Sequence, residues 1–382
     1  MNFQPLKNFL DYYLPMLGIP GSDTVIYKDH EEIFRHTTGY DSIRLGTPLK
    51  SDRLYHIYSC TKISTCIAAV QLMERGEIVA SDPVYAYFPE YKNLTVKVKD
   101  EMGRVIGIKP AERTMTIGHL LTMTSGLNYD LNKEGIKRVQ RETDGRAPTL
   151  DICRAIAEDP LEFEPGENYN YSLSHDVLGG IIELVSGVRY NDYMRDNIFL
   201  PLGMKETSFI DTEENVHRRA TKYNYDPVTA TAVETTWDDN PYRLGTEYDS
   251  AGAGLISSVD DYILLADALA SGGVGKNGNR ILSQRGVDLM RVNRLNSRIL
   301  QSYGTNYDVG YGYGYGVRCN MEPAIAGNLA PVGEFGWDGA KQCFLSVEPN
   351  EHIALFHAEH MGGLSNVVFP RLRNLVYACL GY

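Results

Sequence analysis

Leu54-Tyr55-His56-Ile57-Tyr58-Ser59-Cys60-Thr61-Lys62-Ile63-Ser64-Thr65-Cys66-Ile67 is the stretch whose reading decides the fold. Leu54 to Tyr58 reads as a strand, and from Thr61 the apolar residues Ile63, Ile67, Val70 and Met73 recur at helical spacing until Gly76 ends the run. The junction carries S-x-x-K. Residues three apart on a helix stand one turn above each other, so the Lys62 amine can reach the Ser59 hydroxyl with no tertiary help. A serine hydroxyl is inert until a base takes its proton. Burial near the positive end of a helix disfavours an ammonium, which is the direction a lysine base needs. Taken alone, the motif is matched by a bland alternative, a helix start capped by serine.

Composition narrows the field. The chain has 382 residues, 43% hydrophobic and 23% charged, ample for a large core in one domain or two interleaved ones. A net charge of -12 without a long basic run excludes a phosphate-tracking surface, so no nucleic-acid partner is expected. Residues 1–17 place Phe3, Leu6, Leu10, Tyr13 and Leu14 at amphipathic helical spacing, interrupted by Lys7 and Asp11. That pattern is neither a signal peptide nor a membrane span. The six cysteines are scattered with no C-x-x-C pair, which points to free thiols and a cytoplasmic location.

Outward from the junction, Asp23–Tyr27 and Glu32–His36 read as a hairpin turning at Lys28–His30. Helical stretches are expected at 116–123, 150–157, 173–185 and 192–199. Late in the chain, 343–347 and 353–357 are strand runs, and 364–380 is a closing helix broken at Pro370. Strands at both ends with helices between predict an α+β architecture: a sheet domain from residues 1–80 and 250–382, and a mainly helical domain over 81–249.

Two further clusters supply candidate chemistry. Tyr171, ahead of a predicted helix in Tyr169-Asn170-Tyr171-Ser172-Leu173-Ser174-His175-Asp176, can shuttle a proton between nucleophile and leaving group if a lysine faces it. The neighbouring Ser174, His175 and Asp176 imitate a triad in text only, because adjacent helical residues point about 100° apart. In Phe335-Gly336-Trp337-Asp338-Gly339-Ala340, Gly339 lets a substrate lie against the backbone, and the following N–H can join that of Ser59 in an oxyanion hole. The histidines at 352, 357 and 360 lack H-E-x-x-H, the Gly310–Gly316 run lacks dinucleotide spacing, and G-x-S-x-G is missing. No metal or cofactor is expected.

The three motifs, in this order along nearly the whole chain, resemble the serine β-lactamase and penicillin-binding protein superfamily, in its class C-like branch. Leu120–Leu127, Tyr171–Gly179, Pro201–Met204 and Gly252–Leu255 are similar to that family's text. The resemblance implies an antiparallel sheet flanked by helices, catalytic Ser59, Lys62 and Tyr171, and an oxyanion hole from Ser59 and Ala340. Leu173 stands where class C enzymes carry asparagine, and Trp337 where they carry the lysine of K-T-G. Both departures resemble the family VIII carboxylesterases and imply a small-molecule ester with an uncharged acyl part, bound by Trp337, Asp338, Gly339 and Leu173. On the same fold the alternatives are a β-lactamase, a D-amino-acid peptidase or amidase, and an acyltransferase. Outside enzymes, the alternative is an inactive sensor module. Oligomeric state is left open by the sequence.

Overall fold

The computed structural model describes residues 1–238, 240–306 and 308–381, residue 306 by its backbone alone. Its frame is one eight-stranded antiparallel sheet. The strands are β1 (Gly21–Lys28), β2 (Glu31–Ser42), β3 (Thr47–Pro48), β4 (Tyr311–Tyr313), β5 (Arg318–Asn320), β6 (Phe335–Asp338), β7 (Cys343–Glu348) and β8 (Ile353–Ala358), in the order β4-β5-β6-β7-β8-β1-β2-β3. The two chain ends meet where β1 pairs with β8, Val25 opposite Phe356.

Side chains alternate across a strand, so each central strand feeds two cores. Val25, Leu345 and Phe356 enter one core, and their neighbours Ile26, Phe344 and Leu355 enter the other. Burial on both faces explains why β7 and β8 read as almost unbroken apolar runs. The smaller core is closed by the N-terminal helical segment, through Leu6, Phe9, Leu10 and Leu14, and by the helix Ser365–Leu380.

The larger core holds α1 (Thr61–Glu74), α2 (Ser174–Ser186) and α3 (Val259–Ala270). Every residue of α1 from 61 to 72 is buried. A helix buried all round has no solvated face, and this is why the Lys62 side chain is buried. The helix Ser365–Leu380 is α4.

The structure corrects two sequence expectations. Helix α4 runs through Pro370 instead of breaking there. Proline removes one i→i−4 hydrogen bond, but Val368, Phe369, Leu372 and Val376 are buried around it, and that packing outweighs the lost bond. The approach strand stops at His56 and pairs with Ile256–Ser258; Tyr58 then turns with φ +45°. The stretch after Asp82 contains a hairpin, Thr95–Lys99 with Val105–Pro110. All main-sheet strands fall within 21–48 and 311–358, and α1 packs in the larger core with α2. The six cysteines are buried and unpaired, and among the described residues no helix is long and apolar enough to cross a membrane.

Candidate active site

Ser59 sits in a 3-10 turn, Tyr58–Cys60, that runs straight into α1. A tyrosine with positive φ costs about 1–3 kcal/mol and persists only where packing holds it. Tyr58 is buried, with its ring against His56 and Tyr242 at 5.6 Å each. The turn is pinned from three sides. The Tyr262 hydroxyl donates to Cys60 O at 2.6 Å, Leu255 N–H donates to Thr61 Oγ1 at 3.1 Å, and the Cys60 thiol faces the carbonyls of Trp337 and Cys343. Ser59 remains half-exposed while its neighbours are buried.

Lys62 Nζ reaches three oxygens: Ser59 Oγ at 3.2 Å, Tyr129 OH at 3.2 Å and Gly252 O at 2.7 Å. A carbonyl can only accept, so one N–H is always spent on Gly252. A neutral amine then has one N–H and a lone pair for the two hydroxyls, and an ammonium has two N–H donors for them. The cage therefore accommodates both protonation states. Burial dominates and pulls the Lys62 amine from its ordinary 10.5 to about 7, with Asp176 acting in the opposite direction.

Tyr171, just before α2, stacks between Tyr129 (5.5 Å, 18°) and Trp337 (5.7 Å, 25°). The Trp337 indole N–H donates to the Tyr171 hydroxyl oxygen at 3.2 Å, and Lys62 Nζ lies 4.5 Å above the ring centroid. Burial pushes the phenol well above its ordinary value, while hydrogen bonds with Ser59 and Trp337 oppose the shift. Tyr171 is thus held as a neutral phenol, a proton donor beside a near-neutral amine.

Strand β6 reaches the Ser59 turn through Gly339. A Cβ there would lie 2.3 Å from Ile57 O, so only glycine allows the strand end to press against the turn that presents Ser59. Ala340 follows, exposed, in a turn closed by Gly339 N–H to Cys343 O at 2.7 Å. The remaining expected residues lie elsewhere. Asp338 alternates with Trp337, points to the other face of β6 and pairs with Arg318 at 3.1 Å, so its carboxylate is turned away from Ser59. Leu173 is 2% exposed and belongs to the larger core. His175 is buried between Cys66 and the Leu121 carbonyl, and burial pulls its imidazole down to about 3. The Ser174 hydroxyl instead pairs with Ser125 and Ser172, so the triad-like text does not converge.

Sequence reasoning missed Tyr129, Gly252, Asp176 and Tyr242. Tyr129 hydrogen-bonds the lysine, Gly252 supplies its carbonyl, and Tyr242 closes the aromatic wall edge-on to Tyr129 at 5.7 Å. The Gly252–Leu255 text was a usable signal for the carbonyl. One tyrosine among 26 was not.

The chain matches the beta-lactamase family over residues 6–358. It is 30% identical over 355 residues to protein Rv1367c of Mycobacterium tuberculosis (strain ATCC 25618 / H37Rv), covering 91% of this chain and 87% of that one. It is 27% identical over 397 residues to esterase EstB of Burkholderia gladioli, covering 98% and 94%. Among solved structures it superposes on EstCE1, a hydrolase with promiscuous acyltransferase activity, with a TM-score of 0.78 at 22% identity over 96% of each chain. The S-x-x-K turn packed against the end of an inner strand of a large antiparallel sheet, together with a match that spans nearly every element described above, makes this chain a member of the beta-lactamase family.

Proposed function

We propose that the protein is a serine hydrolase that cleaves a small-molecule ester through a covalent acyl-Ser59 intermediate. The observation that carries this reading is a fully buried lysine, near neutrality, hydrogen-bonded to a half-exposed serine hydroxyl at 3.2 Å. In the first step neutral Lys62 accepts the Ser59 proton as Oγ bonds to the carbonyl carbon, and the backbone N–H groups of Ser59 and Ala340 hold the oxyanion. As the intermediate collapses, the Tyr171 phenol gives its proton to the leaving alkoxide oxygen. The Lys62 ammonium then passes the proton it took from Ser59 to the Tyr171 phenolate. Water repeats the sequence in reverse: Lys62 takes its proton, the hydroxyl adds to the acyl carbon, and Ser59 Oγ leaves reprotonated.

One residue favours esters over β-lactams: the uncharged indole of Trp337 stands where a cation would pair with the substrate carboxylate. Trp337 and Gly339 would line the substrate side of the site. The test is side-by-side kinetics on p-nitrophenyl butyrate and nitrocefin with Ser59→Ala as control. Ester turnover that exceeds β-lactam turnover and disappears in the variant supports the reading; β-lactam preference overturns it.

A second reading, acyl transfer to an alcohol, is favoured by the likeness to EstCE1, a hydrolase with acyltransferase activity. It shares every step up to acyl-Ser59 and differs only in what enters next. Product analysis with an added alcohol separates the two: a new ester supports transfer, and free acid alone supports hydrolysis.

A further inference from the structure

Asp176 is 1% exposed on α2, one turn beyond Tyr171, and makes no contact with the nucleophile. Its Oδ1 nevertheless gathers three donors from one segment: Tyr248 OH at 2.6 Å, Ser250 Oγ at 2.8 Å and Gly252 N–H at 3.2 Å. One side-chain oxygen thus accepts from a hydroxyl, a second hydroxyl and a backbone N–H of the same segment. Gly252 is also the residue whose carbonyl takes Lys62 Nζ at 2.7 Å. The fit is tight, since a Cβ at Gly252 would lie 2.4 Å from Asp176 Oδ2 and 3.3 Å from Tyr129 OH. Oδ2 is buried without a hydrogen-bond partner, so the carboxylate's charge is only partly answered where it stands.

We propose that Asp176 is the positioning residue of the Lys62 base: it fixes the 248–252 segment so that the Gly252 carbonyl holds the amine, and its charge keeps that amine able to take up a proton. The proposal rests on Lys62 acting as the base for Ser59. The other titratable neighbours of Lys62 are Cys60 and Cys66 on its own turn and helix, Tyr129 and Tyr171 beside it, and His175 on α2. Burial pushes the two thiols and two phenols up and the imidazole down, so all five are uncharged between about pH 5 and 9. Asp176 is left as the charged partner. Without it, burial would pull the amine further down, leaving it able to give its lone pair to Ser59 but poorer at storing the proton until the leaving group needs it.

The experiment is the rate of fluorophosphonate labelling of Ser59 against pH, in wild type and in Asp176→Asn. The amide oxygen of asparagine still accepts the three donors, so the loop is kept while the charge is removed. The expected result is a labelling midpoint moved down by about one pH unit. An unchanged midpoint overturns the proposal. Tyr248→Phe is the second variant: it keeps the charge and removes the shortest of the three hydrogen bonds. It should slow labelling several-fold without lowering the midpoint, and an unaltered rate overturns the loop-holding role. If wild type is not labelled at Ser59 at any pH, the hydrolase reading itself fails and takes this proposal with it. A labelled wild type with an unshifted Asp176→Asn sinks the Asp176 role alone.

Discussion

Lowering the pH across neutrality should switch the enzyme off through one residue. With the Lys62 amine at about 7, the neutral fraction is about one-eleventh at pH 6 and about ten-elevenths at pH 8, so kcat/KM should rise roughly tenfold between them and then level. An ordinary lysine amine at 10.5 would behave differently, gaining about tenfold for each pH unit up to roughly pH 10. The Tyr171 phenol is pushed far above this range, so no descending limb should enter below about pH 9.5. The assay is initial-rate hydrolysis of a p-nitrophenyl ester from pH 5.5 to 9.5 with the Ser59→Ala rate subtracted, circular dichroism checking that the fold is intact throughout. A log-linear rise continuing beyond pH 9 would show that burial does not tune Lys62, and the proposed division of labour between lysine and tyrosine would be wrong.

Other consequences follow from the same contacts. Because the folded-state pKa of Lys62 lies below its unfolded value, the unfolded chain binds the extra proton between about pH 7 and 10.5, and stability rises with pH through that window. Lys62→Met should therefore be inactive yet stabilised by about 1–3 kcal/mol at pH 6, an advantage that shrinks toward pH 10; denaturant melts at the two pH values check this. Trp337→Phe keeps the stacked ring and loses the 3.2 Å bond to Tyr171 OH, which should cost about 1–3 kcal/mol in the transition state, roughly 5–150-fold in kcat with KM little changed. An unaltered kcat would make Trp337 a wall only. Gly339→Ala sets a Cβ 2.3 Å from Ile57 O, so turnover should fall more than about a hundredfold along with a lower Tm. Wild-type behaviour would mean the β6 end is free to move.

What the sequence could reveal depended on how local each feature is. Ser59 and Lys62 lie one turn apart, so their meeting is written in the i, i+3 spacing, and the apolar period of 63–73 announces the helix that buries them. The burial of β7 and β8 on both faces is equally local, carried by almost unbroken apolar runs. Alternation along β6 could also have told that Trp337 and Asp338 face opposite ways, which the structure bears out with the Arg318 pair. Tyr129 and Gly252 are a different matter. They come from loops 67 and 190 residues from Lys62 and meet it only through the packing of α1 against α2. Nothing periodic marks either one. Pro370 misled because a proline's local cost is legible in text, whereas the surrounding apolar packing that offsets it is tertiary.

The central claim is that Ser59 becomes acylated. Intact-mass spectrometry after brief mixing with an excess of p-nitrophenyl ester and acid quench, followed by peptide mapping, tests it most directly. The account predicts one acyl group per chain, on the peptide containing Ser59. An adduct mapped to another residue, or ester turnover that survives in Ser59→Ala with no adduct at all, would contradict it.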